Sequence, residues 1–302
     1  MNNKLFNDHM SILFKIVKKN KEIDPEEIQT RKDNIKKEFI DMIKNKTITT
    51  KFYDLSHEIR CMDFLNKFGN LKIAKDSKSE AGCDFILNDS VQIEAVCCSR
   101  GDEITNGLNK IPEFGVIDYN LKERILLSRI TSAINAKIDF FQDHKNKTID
   151  PKKPYVIFIG LGNLTYGMIT QDYGFELNKI LCGVEYPRIL IDPKTNKQIG
   201  SDYSYRESFD IIKYNENNES RQVSIPCMYF NKIEFAVVSA IIYSNASLEN
   251  NYDETNTFIF LNPYAKNKLK IRTFPNVYYW NMDNSGNYKL RKNSKSYPYN
   301  GL

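Results

Sequence analysis

Apolar and polar positions alternate along this chain with two periods, and the period changes partway through. Over roughly the first seventy residues the apolar positions recur every three or four residues, the spacing of one helical face. Residues 1–50 read as two charged helices. The second, "DPEEIQTRKDNIKKEFIDMIKN", has Asp24 at the N-cap position and Pro25 at the first helical position. "TITTKF" reads as a turn or linker, and "DLSHEIRCMDFLNKFGN" as a helix ended by Gly69. The pattern then shortens. "LKIAKD" is a short strand, and "CDFIL" and "VQIEAVCC" are strands joined by "NDS", a hairpin-type turn. Residues 99–118 form a glycine-containing loop. "NLKERILLSRITSAINAKIDFFQDHK" returns to a strong helical period, and "YVIFIGLGN" is a buried strand. Beyond it lie "RILID", "FDIIKY", "SIPCMYF", "FAVVSAIIYS" and "TFIFLNP", a β-rich half with no internal repeat.

These elements divide the 302 residues into an N-terminal helical segment (1–50), an α/β core (51–165) and a β-rich C-terminal extension (166–302), with no linker that would separate them into independent domains. A composition of 41% hydrophobic and 12% aromatic residues is that of a folded protein. No apolar run reaches membrane-spanning length, and the N-terminus lacks the pattern of a secretory signal. The six cysteines form no CxxC pair, and with three scattered histidines a zinc site is not expected. A reducing, cytoplasmic location follows as the expectation. A homodimer is compatible with the sequence but not read from it.

Charge is distributed unevenly. The net charge is +5, yet Tyr264–Leu302 carries eight Lys/Arg against one acid, leaving −2 for the rest of the chain. Aromatic residues are interleaved with these cations, including Tyr278, Tyr279, Trp280 and Tyr288. Cations suit phosphates and aromatic rings suit unstacked bases, so Lys289, Arg291 and Lys292 are candidate nucleic-acid contacts.

The most informative stretch is "SEAGCDFILNDSVQIEAVCCSRG", which sets Asp84 and Glu94 in segments that otherwise read as buried strands. A buried carboxylate is costly unless it is paired, hydrogen-bonded or metal-bound. Two carboxylates on adjacent antiparallel strands can converge on one divalent cation. Mg²⁺ needs only one or two of them beside waters and substrate phosphate.

The order helix, strand, strand, strand, helix, strand from residue 54 to 163, with an acid at the second strand and another about ten residues later on the third, resembles the PD-(D/E)XK (restriction-endonuclease-like) nuclease superfamily. The resemblance implies an αβββαβ core, a Mg²⁺ or Mn²⁺ cofactor, and hydrolysis of nucleic-acid phosphodiesters, with DNA as the expected partner. It implies that Asp84 and Glu94 hold the metal. The position of the motif lysine is occupied by Val96, a departure from the pattern. In some members the lysine function has moved to the following helix.

Helical geometry supplies the candidate. With Leu126 at about 0°, Ile130 falls near 40°, Ala133 near 340° and Phe141 near 60°, while Lys137 falls near 20°, in the middle of the apolar stripe. Lys137 is therefore expected to point at the sheet. Arg129, at about 300°, lies on the stripe's margin and is a candidate phosphate contact, as is Arg100 in the loop. On the preceding helix, with Leu55 at about 0°, Glu58 falls near 300° inside the apolar arc and Asp63 near 80° at its edge. The superfamily often adds an acid from this helix to the metal site, so Glu58 is the expected third ligand and Asp63 the reserve. Two rivals remain at this point: a module of the same fold that binds without cutting, and an effector whose target is not nucleic acid.

Overall fold

Asp24 accepts a hydrogen bond from the backbone of Glu27 at 3.1 Å and starts the second helix, so the cap read from sequence is the cap that forms. The computed structural model describes residues 3–20, 23–45, 49–74, 82–98, 119–161, 175–214, 220–246, 250–282 and 288–293. The helices are α1 (Asn3–Lys19), α2 (Pro25–Asn45), α3 (Thr50–Leu65), α4 (Tyr119–His144) and α5 (Phe175–Cys182). The strands are β1 (Leu71–Ile73), β2 (Phe85–Leu87), β3 (Val91–Cys97), β4 (Tyr155–Gly160), β5 (Val184–Ile191), β6 (Gln198–Tyr205), β7 (Ser208–Tyr214), β8 (Ser220–Pro226), β9 (Val238–Ser244), β10 (Thr257–Leu261), β11 (Tyr278–Met282) and β12 (Tyr288–Lys292).

The protein is a mixed α/β structure built on an eight-stranded sheet in the order β1-β2-β3-β4-β9-β10-β11-β12. β1, β2 and β3 are antiparallel neighbours, and β3, β4 and β9 run parallel. The extension expected at 166–302 therefore continues the same sheet through β9–β12. β5–β6 and β7–β8 form two separate two-stranded ribbons.

Apolar side chains fill both faces. One core joins α1, α2 and α3 to Phe85, Ile93, Ala95 and Phe158; the other joins α4 and α5 to Tyr155, Ile157, Ile159 and Tyr243. Every residue of β4 is buried, as its unbroken apolar run requires when both faces are covered. Gly160 ends β4 under the ring of His57 and the hydroxyl of Tyr252, where any Cβ would collide with both. His57 is held there by Tyr252 Oη at 2.6 Å and the Phe158 carbonyl at 3.0 Å, and burial pushes its imidazole down to about 3, so it is a neutral core residue.

Several elements differ from what the sequence predicts. Where "TITTKF" is expected as a turn or linker, its last three residues are helix: the Thr49 hydroxyl accepts from Phe52 N at 3.2 Å, and α3 begins at Thr50. The end of "SIPCMYF" and the start of "FAVVSAIIYS" lie in 3₁₀ turns, at Tyr229–Asn231 and Ile233–Val237, rather than in strand. α5, β6, β11 and β12 have no counterpart in the sequence pattern. The expected loop at 99–118, with Arg100, lies outside the described residues. Among the described residues no helix is long and apolar enough to cross a membrane.

Candidate active site

Strand register brings the two acids together. Phe85 pairs with Ile93, and both side chains enter the α3-side core. Asp84 immediately precedes β2, next in line opposite position 94, and alternation along β3 turns Glu94 toward the α4 face. Asp84 Oδ2 accepts a hydrogen bond from the backbone of Ala95 at 2.8 Å, which fixes that carboxylate beside Glu94. Asp84 is 2% exposed and Glu94 0%, so neither is a solvent-facing surface acid. Gln92, the neighbour on the same face, is also buried, and its amide bonds both backbone groups of Asp150 at 2.8 Å. Val96 packs into the α4-side core.

The expected cation arrives from α4. Lys137 Nζ donates to Glu94 Oε2 at 2.5 Å. Two contacts hold that turn of the helix against the sheet: the Tyr155 hydroxyl donates to the Lys137 carbonyl at 3.1 Å, and the Phe141 and Tyr155 rings lie 4.9 Å apart. Burial alone would lower the ammonium's pKa. The charges of Glu94, then Asp84, then Glu58 outweigh burial and hold it above the ordinary lysine value. Lys137 is thus a charged group bound into the carboxylate cluster.

Arg129 lies two turns earlier on α4, about 12 Å along the axis. Its carbonyl accepts from the Cys98 thiol at 3.8 Å, just past the end of β3. Burial pushes that thiol up to about 12, against the opposing pull of Arg129, and burial likewise raises Cys97 far above the usual thiol range.

The two helix acids separate cleanly. Asp63 is structural: it accepts from Lys19 at 2.7 Å, Asn20 at 2.9 Å and Asn251 at 2.7 Å, tying α1, α3 and the chain near residue 250 together. Glu58 lies close enough to act on Lys137, but its carboxylate is bound by Arg31. Arg31 comes from α2, is 5% exposed, packs over the Phe85 ring at 5.9 Å and also pairs with Glu27 at 3.1 Å. Among the described residues there is accordingly no group of three or more His, Cys, Asp or Glu arranged to hold a metal ion. The cluster offers two carboxylates, with a third one held back by an arginine.

Two members of this cluster escape sequence reasoning. Asp54 stands one turn before Glu58 on α3. Desolvation by the surrounding protein and the neighbouring Glu58 raise its carboxyl to about 6, against the opposing pull of Lys137, although the residue as a whole is exposed. Its spacing of four from Glu58 is a usable signal. Arg31 has none, because nothing local links residue 31 to residue 58.

The basic candidates lie elsewhere. Lys289, Arg291 and Lys292 are exposed on β12, at the far edge of the sheet, with Lys292 over the Tyr278 ring at 5.1 Å. Five strand spacings separate β12 from β3, about 24 Å. Residues 294–302 of the tail lie outside the described residues. Comparison with protein-family models, with curated proteins and with solved structures finds no match to this chain.

Proposed function

We propose that the chain is a divalent-metal-dependent nuclease of restriction-endonuclease-like architecture, hydrolysing phosphodiester bonds of nucleic acid, with DNA as the substrate class. The observation that carries this reading is the buried Lys137–Glu94 ion pair beside Asp84, in which a helix lysine reaches the carboxylates that Val96 cannot serve. The donor set suits the ion. Carboxylate oxygens are hard ligands, and Mg²⁺ is commonly bound through one or two of them. Asp84 and Glu94 would hold it, with Glu58 joining after release from Arg31. When bound, Mg²⁺ supplies Lewis-acid stabilisation of the charge that develops on a scissile phosphodiester. Lys137 balances the carboxylate charge and presents a permanent cation to an anionic phosphate oxygen. Arg129, whose backbone lies near the end of β3, is the candidate contact to the substrate backbone.

Thermal unfolding tests the reading. Mg²⁺ or Mn²⁺ at about a hundred times its dissociation constant is expected to stabilise the fold by about 2.7 kcal/mol through mass action. Asp84→Asn and Glu94→Gln should each abolish that gain. A wild-type protein indifferent to divalent ions, with ordinary ionic-strength controls, sinks the catalytic reading.

A second reading has its own support. Val96 at the motif position, and the lack of a three-ligand cluster among the described residues, favour a module of the same architecture that binds nucleic acid without cutting it. Salt-dependent DNA binding with no divalent effect on unfolding would select it.

A further inference from the structure

The β5–β6 ribbon stands apart from the main sheet, and it carries an unusual surface. Among the described residues eight large hydrophobic side chains are exposed, and five of them are here: Ile189, Leu190, Ile191, Ile199 and Tyr205. Ile189 is 63% exposed, Ile191 53% and Ile199 69%. A lone two-stranded ribbon is marginal in water, and an open apolar edge invites a further strand. β6 occupies one side of β5, and within the described residues that sheet has two strands.

The sequence of this edge indicates what covers the other side. Residues 187–193 read Pro-Arg-Ile-Leu-Ile-Asp-Pro. The segment is symmetric in chemical class about Leu190, except that its charge inverts. Laid antiparallel on itself about a two-fold axis through Leu190, it sets Leu190 against Leu190 of a second copy, and Ile189 against Ile191. Position 188, an arginine, then stands opposite position 192, an aspartate, of the second copy, twice per pair by symmetry. Opposite charges directly across an antiparallel pair stabilise it, whereas like charges oppose it. The two prolines stand opposite one another at the ends and, lacking N–H groups, bound the paired stretch. The Asp192 carboxylate already accepts from Lys194 N and Thr195 Oγ1, both at 2.8 Å, and a carboxylate retains further acceptor sites for a guanidinium. An unrelated partner strand would not call for charge inversion about a centre; a second copy does.

We propose that residues 187–193 of two copies pair antiparallel about Leu190, joining two ribbons into a four-stranded intermolecular sheet and making the protein a two-fold homodimer. The interface is isologous, so every contact occurs twice. It stands independently of the nuclease reading.

Cross-linking and sedimentation test it together. Leu190→Cys sets two thiols face to face at cross-strand distance, within disulfide reach. Five native cysteines are buried and Cys97 is partly so, which keeps the background low. Mild oxidation of Leu190→Cys should give a covalent dimer, while Ile233→Cys, at a position 86% exposed outside the ribbon, should not. A mixture of Ile189→Cys with Ile191→Cys should cross-link more readily than either alone. In sedimentation equilibrium the full chain should dimerise, and Arg188→Asp, which sets acid against acid twice, should weaken the dimer roughly tenfold or more. A chain that is monomeric at every concentration overturns the proposal. So does a dimer that fails to link at Leu190→Cys and ignores Arg188→Asp, or a monomer whose ribbon instead captures DNA or another protein.

Discussion

Glu94, with 1% of its side chain exposed, is paired with the ammonium of Lys137 at 2.5 Å. Removing one partner from such a pair leaves an uncompensated buried charge. Lys137→Met is therefore expected to destabilise the fold by about 3–5 kcal/mol, with most of the loss recovered in Lys137→Met/Glu94→Gln. Denaturant unfolding of the four proteins of the cycle checks this, and equal losses in the single and double variants would refute the dependence. Asp54 provides a pH test. Its carboxyl is raised from 3.8 to about 6 in the folded protein, chiefly by the surrounding protein and then by Glu58. An acid raised on folding costs stability once both states are ionised. Asp54→Asn should therefore raise the melting temperature at pH 7–8, lose that advantage as pH falls from about 6 toward 4, and show a smaller effect in high salt, because the group reaches solvent. A gain that grows on acidification contradicts the assignment. At this scale the sequence is legible wherever helical or strand phase decides orientation, as for Asp84, Glu94 and Lys137. For Glu58 the phase is right, but Arg31 binds its carboxylate through an ion pair that no local pattern encodes.

Among the elements, α2 is the one that controls the helix acid. Arg31→Met should loosen its docking on α3 and remove the ion pairs to Glu27 and Glu58, at a cost of about 3 kcal/mol. In the nuclease reading it should also free Glu58 and strengthen Mg²⁺ binding by calorimetry; weaker binding would show that Arg31 supports the site instead. The elements legible in the sequence have a strong period or a cap, as α2, α4 and β4 do. Those that are not owe their form to distant neighbours. β11 and β12 sit in a basic, aromatic segment that resembles an interaction tail, and they become strands because β10 offers a parallel edge. β6, with Gly200 and Ser201, has little strand propensity of its own and is carried by β5.

Across the whole molecule, the sheet sets the basic strand β12 about 24 Å from the acidic cluster. DNA held at both places would lie across the sheet rather than at one end of it. Charge reversal at Lys289, Arg291 and Lys292 should weaken DNA binding and flatten its dependence on log salt by about 0.9 for each phosphate that is no longer neutralised. An unchanged slope removes this edge from the interface.

The position of β4 has a further consequence, for synthesis of the chain. Its neighbours in the sheet are β3, made before it, and β9, which begins 78 residues after Gly160, at Val238. At ordinary elongation rates of 5–20 residues per second, β4 waits about 4–16 s on the ribosome for its second neighbour. During that interval a fully apolar strand has one open edge. α5 and the two ribbons emerge in the meantime, and residues of α5, β7 and β8 belong to the core that later covers it. The segment between β4 and β9 thus supplies side chains for one face of β4, while the strand's second edge stays open until β9 is made.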